Sequence, residues 1–574
     1  MNNEDVARVF QNIADLLAIK GESRYRIVAY ERAAETLTGL GRDIKDVWQG
    51  GELKELPGVG DAIASKIDEL LSTGELGYYD ELTDEVPESL IEVLHISHVG
   101  PKKAALFWQE LGVTTVEELE QAAAGELAAL SGMGERSQQK ILNAIEAYKR
   151  HQTGRVLLGQ ALPTAEEFLG RLRELPETVA AEGAGSLRRR RETVGDLDLL
   201  AASAEPAALM GAFLDFPEVE QVVGRGDTKS SVVLRDGLRI QLWVHPPERF
   251  GAALQYATGS KEHNVRLREL AQRNGLSLSE HGFKRESGEE ILCSQEAEVY
   301  ETLGLAWIPP ELREDRGEIE AARDGRLPEL IETGDILGDL HSHTDWSDGR
   351  ATLEEMVRGA IDFGHRYLVV TDHSRSLGVA NGLSIERLQQ QRSAITELQE
   401  NIGDGLLVMQ GAEVEILADG SLDYPDEVLA ELDLVVASLH TSLEQPRAKV
   451  TERLLNAVQN PHVDVIGHPT GRLLGRRDPA DLDMEAVFQA AAESGVALEI
   501  NASPERLDLM DAHARRAVEL GCLLSIDTDA HHPEHFELLR YGIATARRGW
   551  VESDSVINTW SADRLRTWLQ GRGD

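Results

Sequence analysis

Between Gly338 and His532, nine histidine, aspartate and glutamate positions recur singly or in pairs at the ends of short apolar runs, and that rhythm limits the fold more than any other feature of the chain. The positions fall in Asp339-Leu340-His341-Ser342-His343, Ser347-Asp348, Thr371-Asp372-His373, Gly411-Ala412-Glu413, Ser438-Leu439-His440, Gly467-His468-Pro469 and Asp527-Thr528-Asp529-Ala530-His531. The preceding runs, Tyr367 to Val370, Leu434 to Ala437, Val463 to Ile466 and Cys522 to Ile526, read as strands. Helical patterns lie between them, at Leu353 to Phe363, Ile385 to Leu398 and Met484 to Ala492. Strands alternating with helices predict a closed or nearly closed α/β barrel whose chemistry gathers at the C-terminal strand ends. Residues far apart in sequence then converge on one rim.

Imidazoles and carboxylates without thiolate suit zinc, manganese or iron. Clustered ions of this kind activate water and neutralise phosphoester oxygens. A single histidine after a strand is most often a capping residue, but nine such positions do not share that explanation. The segment Leu337 to about Trp560 resembles the PHP (polymerase and histidinol phosphatase) domain, with every motif of that family present. The resemblance implies three ions: His341, His343, Glu413 and Asp529 around the first, Glu413 bridging to a second with His440 and His468, and Asp348, His373 and His531 around the third. It also implies a metal-dependent phosphoesterase holding two or three divalent ions, manganese or zinc.

At 574 residues the chain is long enough for three to five domains. Cys293 and Cys522 are too few for a disulfide framework and are not spaced as a zinc site. The start, Met1-Asn2-Asn3-Glu4-Asp5, has no basic and apolar leader, and no run approaches a membrane span. The expectation is a soluble, cytoplasmic, nucleoid-associated protein with no membrane partner. A formal net charge of -42 argues at first against a nucleic-acid partner, which needs local positive charge. Basic groups can be concentrated locally, however, and Arg188 to Arg191 is the densest cluster.

The first 150 residues read as helical with a loose repeat. Leu56-Pro57-Gly58-Val59-Gly60 precedes a helix over Ala62 to Leu71, Ile96-Ser97-His98-Val99-Gly100 one over Lys102 to Trp108, and Leu130-Ser131-Gly132-Met133-Gly134 one over Ser137 to Ala147. Gly58, Gly60, Gly100, Gly132 and Gly134 permit a close backbone approach, so that amides at the second helix can grip a phosphate. This is the helix-hairpin-helix pattern, which binds DNA backbone without reading bases. One such turn is weak evidence, but three before amphipathic helices favour DNA binding over a plain helical bundle.

In the middle of the chain Gly185-Ser186 stands before four arginines and then Gly195-Asp196-Leu197-Asp198-Leu199-Leu200. The alternation sets Asp196 and Asp198 on one strand face, where two carboxylates can clamp magnesium for phosphoryl transfer. With these residues, positions 1 to about 315 resemble a family X DNA polymerase. The whole chain is similar to the bacterial PolX-type arrangement of polymerase followed by PHP domain.

The resemblance implies Asp196 and Asp198 as two of three catalytic aspartates, with magnesium or manganese as the palm metal. Gly185, Ser186 and Arg189 would bind nucleotide phosphates. Tyr256, in Tyr256-Ala257-Thr258-Gly259, would contact the sugar and Asn264 the minor groove. Lys66 stands where eukaryotic relatives keep a lyase lysine; Arg26 matches one supporting basic residue, while Ala62 and Glu31 replace others. The third aspartate should lie fifteen residues before Tyr256, and that position is Gln241, in Arg239-Ile240-Gln241-Leu242-Trp243. A neutral amide is a poor magnesium ligand and no base for a 3′-hydroxyl, so polymerisation is expected to be weak or manganese-dependent.

The fold expected is multidomain α and α/β: helical helix-hairpin-helix N-terminal domains, a nucleotidyltransferase-type palm with a thumb, and a C-terminal (β/α) PHP barrel. The expected limits are 1–85 lyase-like, 86–152 fingers, 153–248 palm, 249–315 thumb, 316–334 linker and 335–574 barrel. The function implied is gap-filling repair polymerisation combined with a 3′-5′ exonuclease, acting as a monomer on gapped, nicked or 3′-ended DNA with deoxynucleoside triphosphates. Two other readings stay open: a DNA-end-binding scaffold with a vestigial palm, and a small-molecule phosphatase, which the hairpin motifs oppose.

Overall fold

The computed structural model describes residues 1–574 apart from 2, 39, 41, 42, 95, 97, 98, 124–126, 128, 129, 131, 132, 135, 136, 139, 143, 146–154, 236, 573 and 574, and apart from the side chains of 4, 35, 38, 379, 404 and 572. The chain divides into two units, Met1–Arg155 with Arg235–Gly237, and Val156–Leu234 with Leu238–Asp574.

The first unit is helical. Helix α1 (Asn3–Lys20) buries Val6, Phe10, Ile13 and Leu17, a spacing of three and four that makes one apolar stripe, and it packs on α2 (Arg24–Thr38). Helix α3 (Asp61–Thr73) buries Ile63, Ile67 and Leu70, and α4 (Pro101–Leu111) buries Ala104 and Phe107. The turns read from sequence as hairpins precede these two helices. Gly58 has φ +76°, which a side chain would strain. Gly60 and Gly100 are extended and cap α3 and α4.

The second unit holds two sheets of consequence. Strands β1 (Ala180–Gly183), β2 (Leu197–Ala202), β3 (Val219–Gly224), β4 (Lys229–Leu234) and β5 (Arg239–His245) form a five-stranded sheet in the order β1-β2-β5-β4-β3. Only β2 and β5 run parallel, and their register sets Asp198 opposite Gln241. Phe168 and Phe213, from helices Leu158–Glu174 and Pro206–Leu214, lie in the core against this sheet. Helices Phe250–Thr258 and Lys261–Arg273 follow, with a small antiparallel sheet over 276–291.

The stretch 316–334, expected as a linker, is instead packed. Its helix Glu318–Arg323 buries Ile319 and Ala322 in the same core as Leu267 and Tyr300, and buried Glu318 Oε1 lies 2.7 Å from His263 Nδ1. The segment is rich in charge, but the apolar pair within it, with Leu330 and Ile331, docks it.

The barrel consists of β6 (Gly338–Ser342), β7 (Tyr367–Val370), β8 (Leu407–Glu415), β9 (Leu434–Ser438), β10 (Val465–Gly467), β11 (Ala497–Asn501) and β12 (Leu524–Asp527), all parallel and in sequence order. Nearly every strand residue is buried, as strands covered on both faces require. Two carboxylates draw the last strand to the first. Asp339 on β6 accepts from Thr528 N and Oγ1, and Asp527 on β12 accepts from Leu340 N at 2.8 Å. A further bridge joins Ser342 to Ala530.

Buried ion pairs fasten the barrel to the preceding regions of its unit. Arg548, almost wholly buried, donates to Glu314 Oε1 at 2.9 Å and to Asp511 Oδ2 at 2.7 Å, and Arg472 reaches Glu192 at 2.7 Å. Among the described residues no helix is long and apolar enough to cross a membrane.

Candidate metal centres of the barrel and the palm

All nine positions expected as ligands converge at the C-terminal ends of the barrel's strands. Glu413, wholly buried at the end of β8, is the hub. Its Oε2 lies 3.3 Å from His341 Nε2, 3.5 Å from His343 Nε2 and 2.9 Å from His373 Nδ1. Its Oε1 lies 3.1 Å from His440 Nε2 and 2.9 Å from His468 Nε2. Asp529 Oδ1 is 3.0 Å from His343 Nε2, and Asp348 reaches His373 and His531 at 3.4 Å each.

The structure groups these donors somewhat differently from the three-ion pattern. His343 belongs both with His341 and Asp529 and with Asp348, His373 and His531, while His373 also stands with Glu413 and His440. An imidazole has two ring nitrogens facing different ways, and sequence spacing does not say which one serves.

The donor set fits divalent ions. His341 Nε2, both ring nitrogens of His343 and of His468, His373 Nδ1 and Glu413 Oε1 are buried and have no hydrogen-bond partner. Buried polar atoms are nearly always satisfied, so this many orphans gathered around Glu413 call for a cation. Burial opposes the charge of Asp529, yet the imidazoles of His341, His343 and His531 hold its carboxyl well below the usual range. Burial is likewise overcome at Glu413 by His440, His373 and His341. Two of the expected ligands sit in backbone conformations that side chains rarely adopt, His468 at φ +26° and Asp529 at φ +52°.

A second set of carboxylates orients the ligands, and sequence reading gave them no role. Glu499 Oε1 lies 2.7 Å from His341 Nδ1, and Glu415 Oε2 lies 2.7 Å from His440 Nδ1. A proton shared there leaves each Nε2 with its lone pair free for a metal. Asp372 accepts from Thr344 N and Oγ1, Ser347 N and Oγ, and Gln391 Nε2, pinning the loop that carries Asp348. Glu415 had a signal: it is two residues from Glu413 on one strand, hence on the same face. Glu499 had a fainter one, an acid inside the apolar run Ala497–Asn501.

In the palm, Asp196 and Asp198 lie at the start of β2. Burial and the neighbouring Asp196 push Asp198 up to about 6. Gln241 donates from Nε2 to Asp196 Oδ2 at 2.8 Å. Gly185, at φ +58°, leaves no room for a side chain, because a Cβ there would meet Asp198 Oδ2 at 2.6 Å. A pocket of about 350 Å³ opens beside these residues, walled by Arg189, Asp198, Trp243, Tyr256, Lys261 and Asn264 among others. Gly185 and Ser186 are not in its wall. Asn264 is fixed by a bond from Gln255 Nε2 and one to Tyr256 O.

The arginine cluster 188–191 is not a free basic patch. Arg188 is paired through both terminal nitrogens with Glu296, and Arg189 and Arg191 face Glu314. These partners lie more than a hundred residues away, out of reach of a local reading of charge.

In the helical unit a Cβ at Gly60, Gly100 or Gly134 would meet nothing within 4 Å, whereas Gly58 abuts Arg32. Gly132 lies outside the described residues. Lys66 places its Nζ 4.5 Å over the Tyr78 ring, whose hydroxyl accepts from Arg26 at 2.8 Å.

Comparison with known proteins bears on both sites. The chain is 39% identical to the DNA polymerase/3′-5′ exonuclease PolX of Bacillus subtilis, over 99% of this chain and all of that one. The chain belongs to the bacterial PolX family of DNA polymerases. Four family descriptions match parts of it: a helix-hairpin-helix domain at residues 1–76, a SAM-like helix-hairpin-helix tandem at 90–147, the DNA polymerase beta thumb at 253–314 and the PHP domain at 339–503. Rat DNA polymerase lambda is 25% identical over 54% of this chain and 56% of its own length. A probable phosphatase of Thermoanaerobacter is 31% identical over 41% of this chain and 95% of its own. As a PolX-family member with a PHP domain, the chain carries two metal-dependent sites.

Proposed function

We propose that the barrel of this PolX-family chain is a manganese- or zinc-loaded 3′-5′ exonuclease. In this reading the palm retains nucleotide binding but fills gaps slowly and favours manganese. The observation that carries the nuclease half is the set of buried, unpartnered donors around Glu413. The ligands are His341, His343, Asp348, His373, Glu413, His440, His468, Asp529 and His531. Divalent ions, when bound, lower the pKa of a water and neutralise phosphate oxygens. Attack of water on the terminal phosphodiester breaks the P–O3′ bond, releases a nucleoside 5′-phosphate and leaves a shortened 3′-hydroxyl that takes up the water's proton. Glu499 and Glu415 keep two imidazoles in the tautomer that presents Nε2.

The palm half rests on the bond from Gln241 to Asp196. An amide there satisfies one carboxylate oxygen that an ion would otherwise use, and it offers no negative charge and no base. Arg189, Tyr256 and Asn264 wall the pocket that would take a deoxynucleoside triphosphate, next to Asp196 and Asp198. We assign DNA backbone contact to the turns at Gly58, Gly60, Gly100, Gly132 and Gly134, keep Lys66 as a lyase candidate beside Tyr78, and place the monomeric protein at gapped, nicked or 3′-ended chromosomal DNA in the cytoplasm. We place domain limits near 85, 152, 248 and 335, and join 316–334 to the thumb, whose core its helix shares.

One experiment separates the readings. A 3′-recessed and a gapped duplex are incubated with manganese or magnesium, with and without nucleotides. Shortening without nucleotides supports the nuclease, and slow extension confined to manganese supports the weakened palm. Brisk extension in magnesium overturns that part, and neither activity leaves the DNA-end-binding scaffold.

A further inference from the structure

We infer that Arg506 is the phosphate-holding residue of the barrel site, placed to bind a non-bridging oxygen of the phosphate under attack. This rests on the phosphoesterase reading of the barrel and adds to the nine ligands a residue that binds substrate. Arg506 lies in the loop after β11, and its Nε is 3.8 Å from Oδ2 of Asp529. Its side chain is one-fifth exposed, so it stands at the mouth of the site.

The loop is held firmly. Arg472 donates from Nε to Arg506 O at 2.9 Å and also to Leu507 O, while its other contact, to Glu192, ties it to the palm. Arg506 N donates to Ser503 O at 2.8 Å.

What singles out Arg506 is an unmet bond. Among the described residues two buried guanidinium nitrogens lack a hydrogen-bond partner, Arg540 Nε and Arg506 Nη1. Arg540 is anchored through Nη2 by Glu166 at 3.0 Å and has no recorded pair with a residue of the cluster. The neighbours of Arg506 are also satisfied: Arg476 faces Glu505 at 3.3 Å, and Arg477 Nε donates to Gly471 O at 2.8 Å. Arg506 thus brings a buried, unused cationic donor to the rim of the ligand cluster.

Charge sets the class of ligand. Asp348, Glu413 and Asp529 contribute three negative charges, against four to six positive charges from two or three divalent ions. Glu415 and Glu499 add two negative charges behind the imidazoles, so an anion is drawn by the ions together with Arg506 rather than by a bare excess of charge. A planar fork of donors matches the paired oxygens of a phosphate. The ligand is a phosphoryl group, and its proximity to Asp529 favours the scissile phosphate over the next one along the strand.

The test uses the full chain loaded with manganese, as parent, Arg506→Ala and Arg506→Lys. Inorganic phosphate is titrated calorimetrically, manganese content is measured, and 3′ shortening of an oligonucleotide is followed. Arg506→Ala should bind phosphate at least about tenfold more weakly and cut about 100-fold more slowly at saturating DNA, as expected for loss of one preorganised donor to a developing charge. Its manganese content should match the parent's, and Arg506→Lys should recover part of the binding. Equal phosphate affinity in parent and Arg506→Ala overturns the assignment, as does loss of manganese, which would make Arg506 a support for Asp529. A rise in KM alone moves the contact to a neighbouring phosphate and overturns the scissile assignment. If the parent binds phosphate through Arg506 but leaves DNA intact, the exonuclease reading falls and the arginine assignment stands.

Discussion

In the barrel, one buried glutamate is ringed by five imidazoles, and further carboxylates behind them fix two of those rings. In the palm, two aspartates share their space with an amide that already bonds one of them. Both sites sit at strand ends within one unit of the chain, so the scaffold does not explain the contrast. The difference is in how each site bears its charge without a metal. The barrel leaves buried donors unsatisfied, an arrangement that is costly unless ions arrive. Gln241 instead relieves Asp196 with a neutral hydrogen bond. The palm can therefore keep its fold, its sheet register and its pocket while its chemistry weakens.

The largest effect that could break this comparison is loss of a barrel ligand. His341→Ala and Asp529→Ala should each slow 3′ shortening roughly 1,000-fold, about 4 kcal/mol of transition-state stabilisation, with extension from the palm unaltered. Shortening at the parent rate in both variants would sink the ligand assignment. Next in size is Gln241→Asp, which restores a ligand and a possible base. In protein with the barrel silenced by His341→Ala, it should raise incorporation in magnesium by about 100-fold, the scale of general-base catalysis. Unchanged incorporation would mean that the amide is not what limits the palm.

A smaller effect sharpens the account of the barrel. Glu499 accepts from His468 N and lies near Asn501 Nδ2 through the oxygen that does not face His341. In Glu499→Gln an amide that donates would face those donors, while the acceptor toward His341 remains. Manganese affinity should fall about tenfold, the lower end of what such supporting residues contribute. Affinity equal to the parent's, measured by metal titration, would make Glu499 merely a buried acid.

Much of the barrel was legible because most of the expected ligands follow an apolar run. Tyr367–Val370 and Leu353–Phe363 have the limits read from sequence, and Leu434–Ser438 differs by one residue. The supporting carboxylates were not legible, since periodicity gives burial and face but not the partner. The packing of 316–334 was hidden by its charge, and the neutralisation of Arg188 and Arg189 by partners at Glu296 and Glu314 lay beyond any local window. Gln241 was legible as a departure, but its bond to Asp196 depended on the parallel register of β2 and β5.

The smallest expected effect concerns the helical hairpins, where the same contrast between sites recurs. Gly60 and Gly100 both cap helices with open space in front, so nothing in the fold itself requires glycine there. An approaching phosphate is what the space would admit. The first hairpin, however, puts Asp61 at the start of its helix, ion-paired with Lys54 at 2.6 Å, whereas the second begins Pro101-Lys102-Lys103. A carboxylate at the helix start competes with a phosphate for the same amides. Gly100→Val should therefore weaken binding to a nicked duplex by a few-fold and flatten the dependence of log affinity on log salt by about one unit, the share of one phosphate contact. Gly60→Val should change both less. Gly58 is the wrong probe, because its positive φ makes any substitution a test of folding rather than of DNA grip. Fluorescence anisotropy across a salt series reads the slope directly. A larger loss from Gly60→Val than from Gly100→Val would show that the acidic first hairpin, and not the basic second one, holds the backbone.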